Sequence, residues 1–453
     1  MSKTLKIIFS LVLFILVIMP LYVLCLYVHP STDDFGFALG SNIWKGTIAI
    51  YKSMDNRLAG NFLTLLFCNT RNLFLYRLDL VLFITLFFFS VYMFFHTINH
   101  YYIKASKSNL FFLFAVFSFL FIGFNPCISE LFYWYPGIAV WISSIVFFNI
   151  LVVLAICYKH TDKIIYFVLV CILSFVMTSQ NEIVFLFLII FAFLLIYQIL
   201  LDRHCTQRLP KIILLIVIFI GSAIFIFGPG NYIRLEFIST FQPVSIKHVI
   251  LSNILLYRKI FLLSDVVIFN LILIPFYMQF SINIKRFINP LYLGIISLII
   301  LGVMLIPSFV ANLLYSFRTQ DVIYYFAILL LTINMINLSI FLREKHILQI
   351  KSTSQIYLYA IIFLLLSYVS QKESVFRTIY SDILSGKVIK YDKELSCRHF
   401  LINNSKSDVV YVDPIKNKPK SICICDITTD PNDWKNGVLS DYYGKKSIIL
   451  KKE

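Results

Sequence analysis

The run LKIIFSLVLFILVIMPLYVLCLYVHPSTDDF, residues 5–35, decides how the rest of the chain is read. From Ile7 to Val28 it holds no charged side chain, and a helix needs about 20 such residues to cross the hydrocarbon of a bilayer. Lys3 and Lys6 come before it, and Asp33-Asp34 follows at once. The run is long for a signal peptide and has no small-x-small cleavage site, so it reads as an uncleaved anchor.

The rest of the chain repeats this pattern. Of its 453 residues 60% are hydrophobic and 14% charged, against about 45–50% and 25% in soluble domains. So few charges cannot cover so much apolar surface in water, which excludes a cytosolic enzyme, a disordered chain and a disulfide scaffold. The expected fold is an all-α polytopic membrane protein with about 11 transmembrane helices. Spans are expected near 5–28, 73–98, 110–124, 137–157, 164–178, 183–201, 212–228, 264–280, 291–306, 322–342 and 355–370. The net charge of +16 reads as loop charge that sets topology, not as affinity for nucleic acid. The nine cysteines read as packing residues, and Cys423-x-Cys425 is too short for a zinc pair.

With the N-terminus inside, each inner loop carries a basic pair. The pairs are Lys104 and Lys107, Lys159 and Lys163, Arg203 and Arg208, Lys285 and Arg286, and Arg343 and Lys345. This is the positive-inside pattern. It gives a transmembrane domain over 1–370, with a first outer loop at 29–72, and an extracytoplasmic tail or small domain over 371–453. Short amphipathic helices are expected near 35–52 and 58–70, lying at the interface. A strand is expected in Asp408-Val-Val-Tyr-Val412. The longer segments are all outer ones, and functional residues concentrate on loops.

Polar residues gather on that face. Adjacent carboxylates at a membrane mouth repel one another and lose solvation. Asp33 and Asp34 are therefore read either as a pair in which one is a general base or metal ligand, or as a solvated pair at a helix end. Asp55-Asn-Arg57 begins the second amphipathic segment. Arg57, Arg234 in Gly228-Pro-Gly-Asn-Tyr-Ile-Arg234, and Arg318 each suit a phosphate, because a guanidinium offers a planar fork of donors. Glu130, Tyr133, Tyr135, Asn181, Glu182 and Asn231 complete the set as candidate substrate contacts. The aromatics fit an interfacial belt equally well, Glu182 a helix-dipole charge, and the Gly-Pro-Gly a turn. No dinucleotide fingerprint, P-loop or HExxH motif is present.

An acidic pair just past the first span, in a loop with interfacial helices, resembles the GT-C superfamily. These are membrane glycosyltransferases that take sugars from polyprenyl-phosphate carriers. The ordered set also resembles an uncharacterised bacterial family of multi-pass membrane proteins. That set is Asp33-Asp34, Asp55-Asn56-Arg57, Glu130 with Tyr133 to Gly137, Asn181-Glu182, Pro229 to Arg234, Trp434-Lys-Asn436 and Tyr442-Tyr-Gly444. The chain departs from that family at Asn56, where a glycine is usual. The resemblance implies an undecaprenyl-phosphate-linked monosaccharide donor and a cell-surface glycan acceptor in a bacterial inner membrane. It implies an aspartate base, with Asp34 favoured because it lies further from the span. Asp33 would orient the acceptor or hold Mg2+ or Mn2+, and Arg57, Arg234 and Arg318 would bind the leaving phosphate.

Two other functions fit a chain of this kind. A polymerase or ligase using lipid-diphosphate-linked donors would concentrate its residues in one very large outer loop. A glycolipid carrier or flippase would show internal repeats and polar groups at mid-membrane. On the favoured topology, an impermeant thiol reagent is expected to label cysteines of the 371–453 tail in intact cells. Labelling only after lysis would reverse the orientation.

Overall fold

In the computed structural model, residues 3–40, 42–68, 70–201, 208–241, 245–261, 265–280, 288–310, 316–347, 368 and 374–451 are described. The first apolar run forms α1 (Lys3–Cys25). Three short helices follow: α2 (Thr32–Ala38), α3 (Ile43–Ser53) and α4 (Leu58–Phe67). The single helix expected at 35–52 is thus two, parted around Gly40, a residue that weakens helices. The long α5 (Leu73–Ile98) then begins at an Asn72 cap, whose side chain accepts the Leu75 N–H at 3.1 Å.

The protein is a mostly helical, multi-pass membrane protein. Among the described residues seven helices are long and apolar enough to cross a membrane. They are Lys6–Cys25, Leu73–Ile103, Tyr135–Thr161, Glu182–Leu201, Arg208–Glu236, Pro290–Ser308 and Phe317–Glu344. The expected spans at 110–124 and 164–178 are the shorter apolar helices Lys107–Gly123 and Ile164–Thr178. The one expected at 264–280 is broken into Asp265–Ile272 and Ile274–Phe280. Pro275 explains the break, since it has no N–H to continue the ladder. The run at 355–370, apart from Tyr368, lies outside the described residues.

Helix Lys107–Gly123 sits deepest, with nearly every side chain buried. Its Phe117 and Phe121 pack edge to face on Tyr325, with ring centroids 5.6 and 5.5 Å apart, and Phe87 lies tilted against Phe121 at 5.2 Å. A polar bridge crosses the same layer. Tyr325 donates to Asn149 Oδ1 at 2.7 Å, and Asn149 donates to Ser90 Oγ at 3.1 Å. In an apolar medium such bonds tie helices together where hydrophobicity alone gives no preference.

The C-terminal residues build a small α/β unit. Helices Val375–Leu384 and Lys387–Asn404 lead into β1 (Val409–Val412), helix Trp434–Tyr443 and β2 (Ser447–Leu450). The strands are parallel, Val409 opposite Ser447 and Val412 opposite Leu450, and the intervening helix supplies the crossover such a pair needs. The unit's apolar core is Ile402, Val410, Val412, Ile427, Leu439 and Ile448, and it includes Phe35 of α2. Polar ties add to this. His29 Nε2 and Arg77 Nη2 both reach Asp392 Oδ1, at 2.8 and 2.5 Å, and Tyr380 donates to the Leu16 carbonyl at 2.7 Å.

Close approach fixes two glycines. A Cβ on Gly230 would stand 2.7 Å from both the Asp55 nitrogen and the Tyr51 carbonyl oxygen, and one on Gly137 would overlap the Glu130 carbonyl. Overpacking of this kind costs about 1–3 kcal/mol or more. Gly137→Ala is therefore expected to lower the thermal midpoint of the detergent-purified protein by several degrees. An unchanged midpoint would show that the Glu130 turn yields freely.

Candidate functional site

The candidate residues converge where α2 and α4 meet the starts of four later helices. Arg57 is the N-cap residue of α4. Its Nη2 and Nε both reach Glu182 Oε1, at 2.7 and 3.2 Å, and its Nη1 lies 3.9 Å from Asp55 Oδ2. The Trp141 ring covers the guanidinium, 5.2 Å from centroid to Cζ. Burial opposes the Arg57 charge, but Glu182 and Asp55 outweigh it and hold the group above its ordinary pKa. Its side chain is only 12% exposed.

Arg234 and Arg318 are held more loosely. Arg234 Nη1 lies 3.6 Å from Asp55 Oδ2, and Arg318 Nη1 lies 3.8 Å from Glu130 Oε2. Both distances are too long for hydrogen bonds. Their side chains are 36% and 29% exposed. Arg318 lies over the Trp134 ring at 4.4 Å, within electrostatic reach of Arg57, Arg234 and Asp33. Three cations from three distant segments thus share one place. The glycines before Arg234 let this happen. Tyr51 donates to the Ile224 carbonyl at 2.8 Å, Asn56 donates to the Phe225 carbonyl, and the backbone at Gly230 closes on Asp55.

The acidic pair divides across α2. Asp34 is fully buried. Its Oδ2 accepts the Ser31 N–H at 2.8 Å, one half of a capping box, and the Tyr76 hydroxyl at 2.9 Å. Burial pushes its carboxyl up to about 7, against the pull of those two donors. Asp33, half-buried, lies within electrostatic reach of Arg318. Burial raises its carboxyl too, and the Arg318 charge works against that rise.

Several other candidates turn inward. Tyr133 is buried and donates to the Leu21 carbonyl at 3.0 Å. Tyr135 is buried against Tyr76, centroids 5.2 Å apart. Asn181 caps its helix, accepting the Ile183 and Val184 N–H groups at 3.1 and 3.0 Å. Its amide donates to the Val140 carbonyl at 3.1 Å, while Gln180 donates to Ala139 at 2.6 Å. Those carbonyls belong to a π-helical turn, Ile138–Ile142, whose wider winding disturbs the usual ladder. Asn231 opens the helix Pro229–Phe241, its N–H reaching the Gly228 carbonyl at 3.2 Å.

Sequence reading missed Trp134, one of the aromatics that fit an interfacial belt, and Trp141, which lay inside the expected span 137–157. It also missed Asp321, fully buried, whose Oδ1 accepts the Cys127 N–H at 3.1 Å behind Glu130. Its place at the start of an apolar helix was the available signal. Among the described residues no group of three or more His, Cys, Asp or Glu is placed to hold a metal ion.

The raised Asp34 carboxyl has a consequence for stability. An unfolded aspartate titrates at its ordinary 3.8 and the folded one at about 7. Below the lower value both states hold the proton. As pH rises from there to about 7, only the folded state keeps it, and stability falls. Asp34→Asn removes this titration. The thermal midpoint of the variant minus that of the native protein is expected to rise between pH 5 and pH 8. A difference independent of pH would mean that Asp34 is ionised across the range. Comparison of the chain with protein-family models, with curated proteins and with solved structures finds no match.

Proposed function

We propose that the protein is a GT-C-like glycosyltransferase with about eleven spans, its N-terminus cytoplasmic and its C-terminal unit outside a bacterial inner membrane. It moves a monosaccharide from an undecaprenyl-phosphate carrier to a cell-surface glycan. The observation that supports this reading most is the grouping of Arg57, Arg234 and Arg318, with Asp33 within electrostatic reach of Arg318. A half-buried carboxylate near part-exposed guanidinium groups suits a reaction that removes a proton on one side and releases a phosphate on the other.

In that reaction an acceptor hydroxyl oxygen attacks the anomeric carbon. The bond from that carbon to the carrier phosphate breaks, and its electron pair leaves with the phosphate. The acceptor proton passes to the Asp33 carboxylate. Asp33 takes this role rather than Asp34, because Asp34 is sealed from solvent and already engaged with Ser31 and Tyr76. Asp34 positions α2. Arg234 and Arg318 exchange their long contacts with Asp55 and Glu130 for the phosphate oxygens. The negative charge that develops there is stabilised by cations already in place. Arg57, committed to Glu182, positions the other two.

The test is transfer of radiolabelled sugar from polyprenyl phosphate to extracted acceptor in proteoliposomes. Asp33→Asn is expected to lose about 10²–10⁴-fold in rate, the usual contribution of a general base. Arg234→Ala and Arg318→Ala are expected to lose about ten- to hundredfold in donor use, the scale of a hydrogen bond to a charged group. Native rates in all three correctly inserted variants would overturn the proposal.

A further inference from the structure

A second concave site is lined in part by Phe35 of α2 and includes none of the three arginines. It is a cavity of about 440 Å3 between the α2–α5 region and the C-terminal unit, inside the range of about 300–1,000 Å3 usual for small-ligand sites. Phe35, Thr70, Arg71, His399, Tyr442 and Tyr443 contribute to its lining. The three aromatic rings are mutually braced, Phe35 standing 4.8 Å from Tyr442 and 6.2 Å from Tyr443 between centroids. Rings fixed in this way present preformed apolar faces at little entropic cost.

The polar groups in the wall are unequal. The Thr70 hydroxyl is buried and has no hydrogen-bond partner among the described residues, and a buried polar group without a partner costs stability unless something binds it. Arg71 is exposed at the cavity and has no ion-pair partner among the described residues. His399 stacks edge-on to His29 with centroids 5.4 Å apart. Burial, with the nearby His29 and Arg398 charges, lowers its ring to about 3. His399 is thus neutral at ordinary pH and leaves Arg71 as the cation of the cavity.

We infer that this cavity binds a sugar unit carrying an oxyanion, either a carboxylate or a phosphate. The pyranose C–H face lies on the tyrosine rings, a ring hydroxyl meets Thr70, and the anion pairs with the Arg71 fork. A neutral sugar satisfies only part of that wall. A flat hydrophobic ligand leaves Thr70 and Arg71 unanswered. The inference goes beyond glycosyl transfer, since equilibrium binding detects it without turnover.

Isothermal titration of the full chain in lipid nanodiscs tests it, with glucose, glucuronate and glucose 6-phosphate as probes. At least one anionic probe is expected to bind about tenfold or more tighter than glucose, and which one does so identifies the oxyanion. Arg71→Gln is expected to reduce that affinity to the level of glucose. Thr70→Val, a change of one hydroxyl for a methyl, is expected to weaken all three probes. Arg234→Ala and Arg318→Ala, which do not line this cavity, are expected to leave binding within about twofold. Absence of binding, equal affinity for all three probes, or an unaffected Arg71→Gln would overturn the inference. So would loss of anion binding in the Arg234 and Arg318 variants, which would place the anion among those arginines.

Discussion

Arg57 and Glu182 form the contact that the site depends on. A guanidinium at 12% exposure beside a membrane-spanning helix must be paired, because desolvating a lone charge costs several kcal/mol. The pairing fixes more than two side chains. It draws the start of α4 against the helix Glu182–Leu201, where the Ala59 N–H reaches the Ser179 carbonyl at 3.2 Å. It also sets Arg57 over Trp141, on the π-helical turn whose carbonyls Gln180 and Asn181 satisfy. The segment between α1 and α5 is therefore bonded into the helical body at its centre, and Asp55, held through Asn61 at 2.6 Å, can face Arg234.

Electrostatics decide which groups are available for chemistry. Near neutral cost, a buried ion pair with short bonds is committed, and Arg57 is such a case. Arg234 and Arg318 have acidic neighbours at 3.6 and 3.8 Å, distances at which charge is partly balanced while hydrogen-bonding capacity is left over. The same contrast separates the two aspartates. Asp34 accepts two short bonds at full burial, and Asp33 beside it is only half-buried. Adjacent residues on a helix point about 100° apart, so one acidic dipeptide can serve structure with one carboxylate and solvent with the next.

The membrane class and the helical run after run were legible in the sequence because each depends on composition or local spacing, and the acidic pair and the three arginines stood out there only as charges beside apolar runs. What a side chain faces was not. Tyr133, Tyr135 and Asn181 occupy loop starts, where sugar contacts and plain structural caps carry the same residue types, and their partners are the Leu21 carbonyl, Tyr76 and the Val140 carbonyl. Apolar composition also masked the break at Leu273, since Ile272 and Ile274 on either side of it are as apolar as the rest of the run, and Pro275 was its one local sign. The insertion of Phe35 into the C-terminal core was beyond reach for another reason. His29 and Asp392 stand 363 residues apart, and no periodicity links such distant positions.

That separation bears on how the protein is made. A chain entering a membrane does so from its N-terminus, so α1 and α2 are in place long before β2 exists. Until the last strand arrives, Phe35 has no core to enter and Asp392 cannot close on His29 and Arg77. Long-range closures of this kind form late and slowly. The wall formed by Tyr442 and Tyr443 accordingly assembles after α1 and α2, and a nascent chain carries its acidic pair without that wall until then.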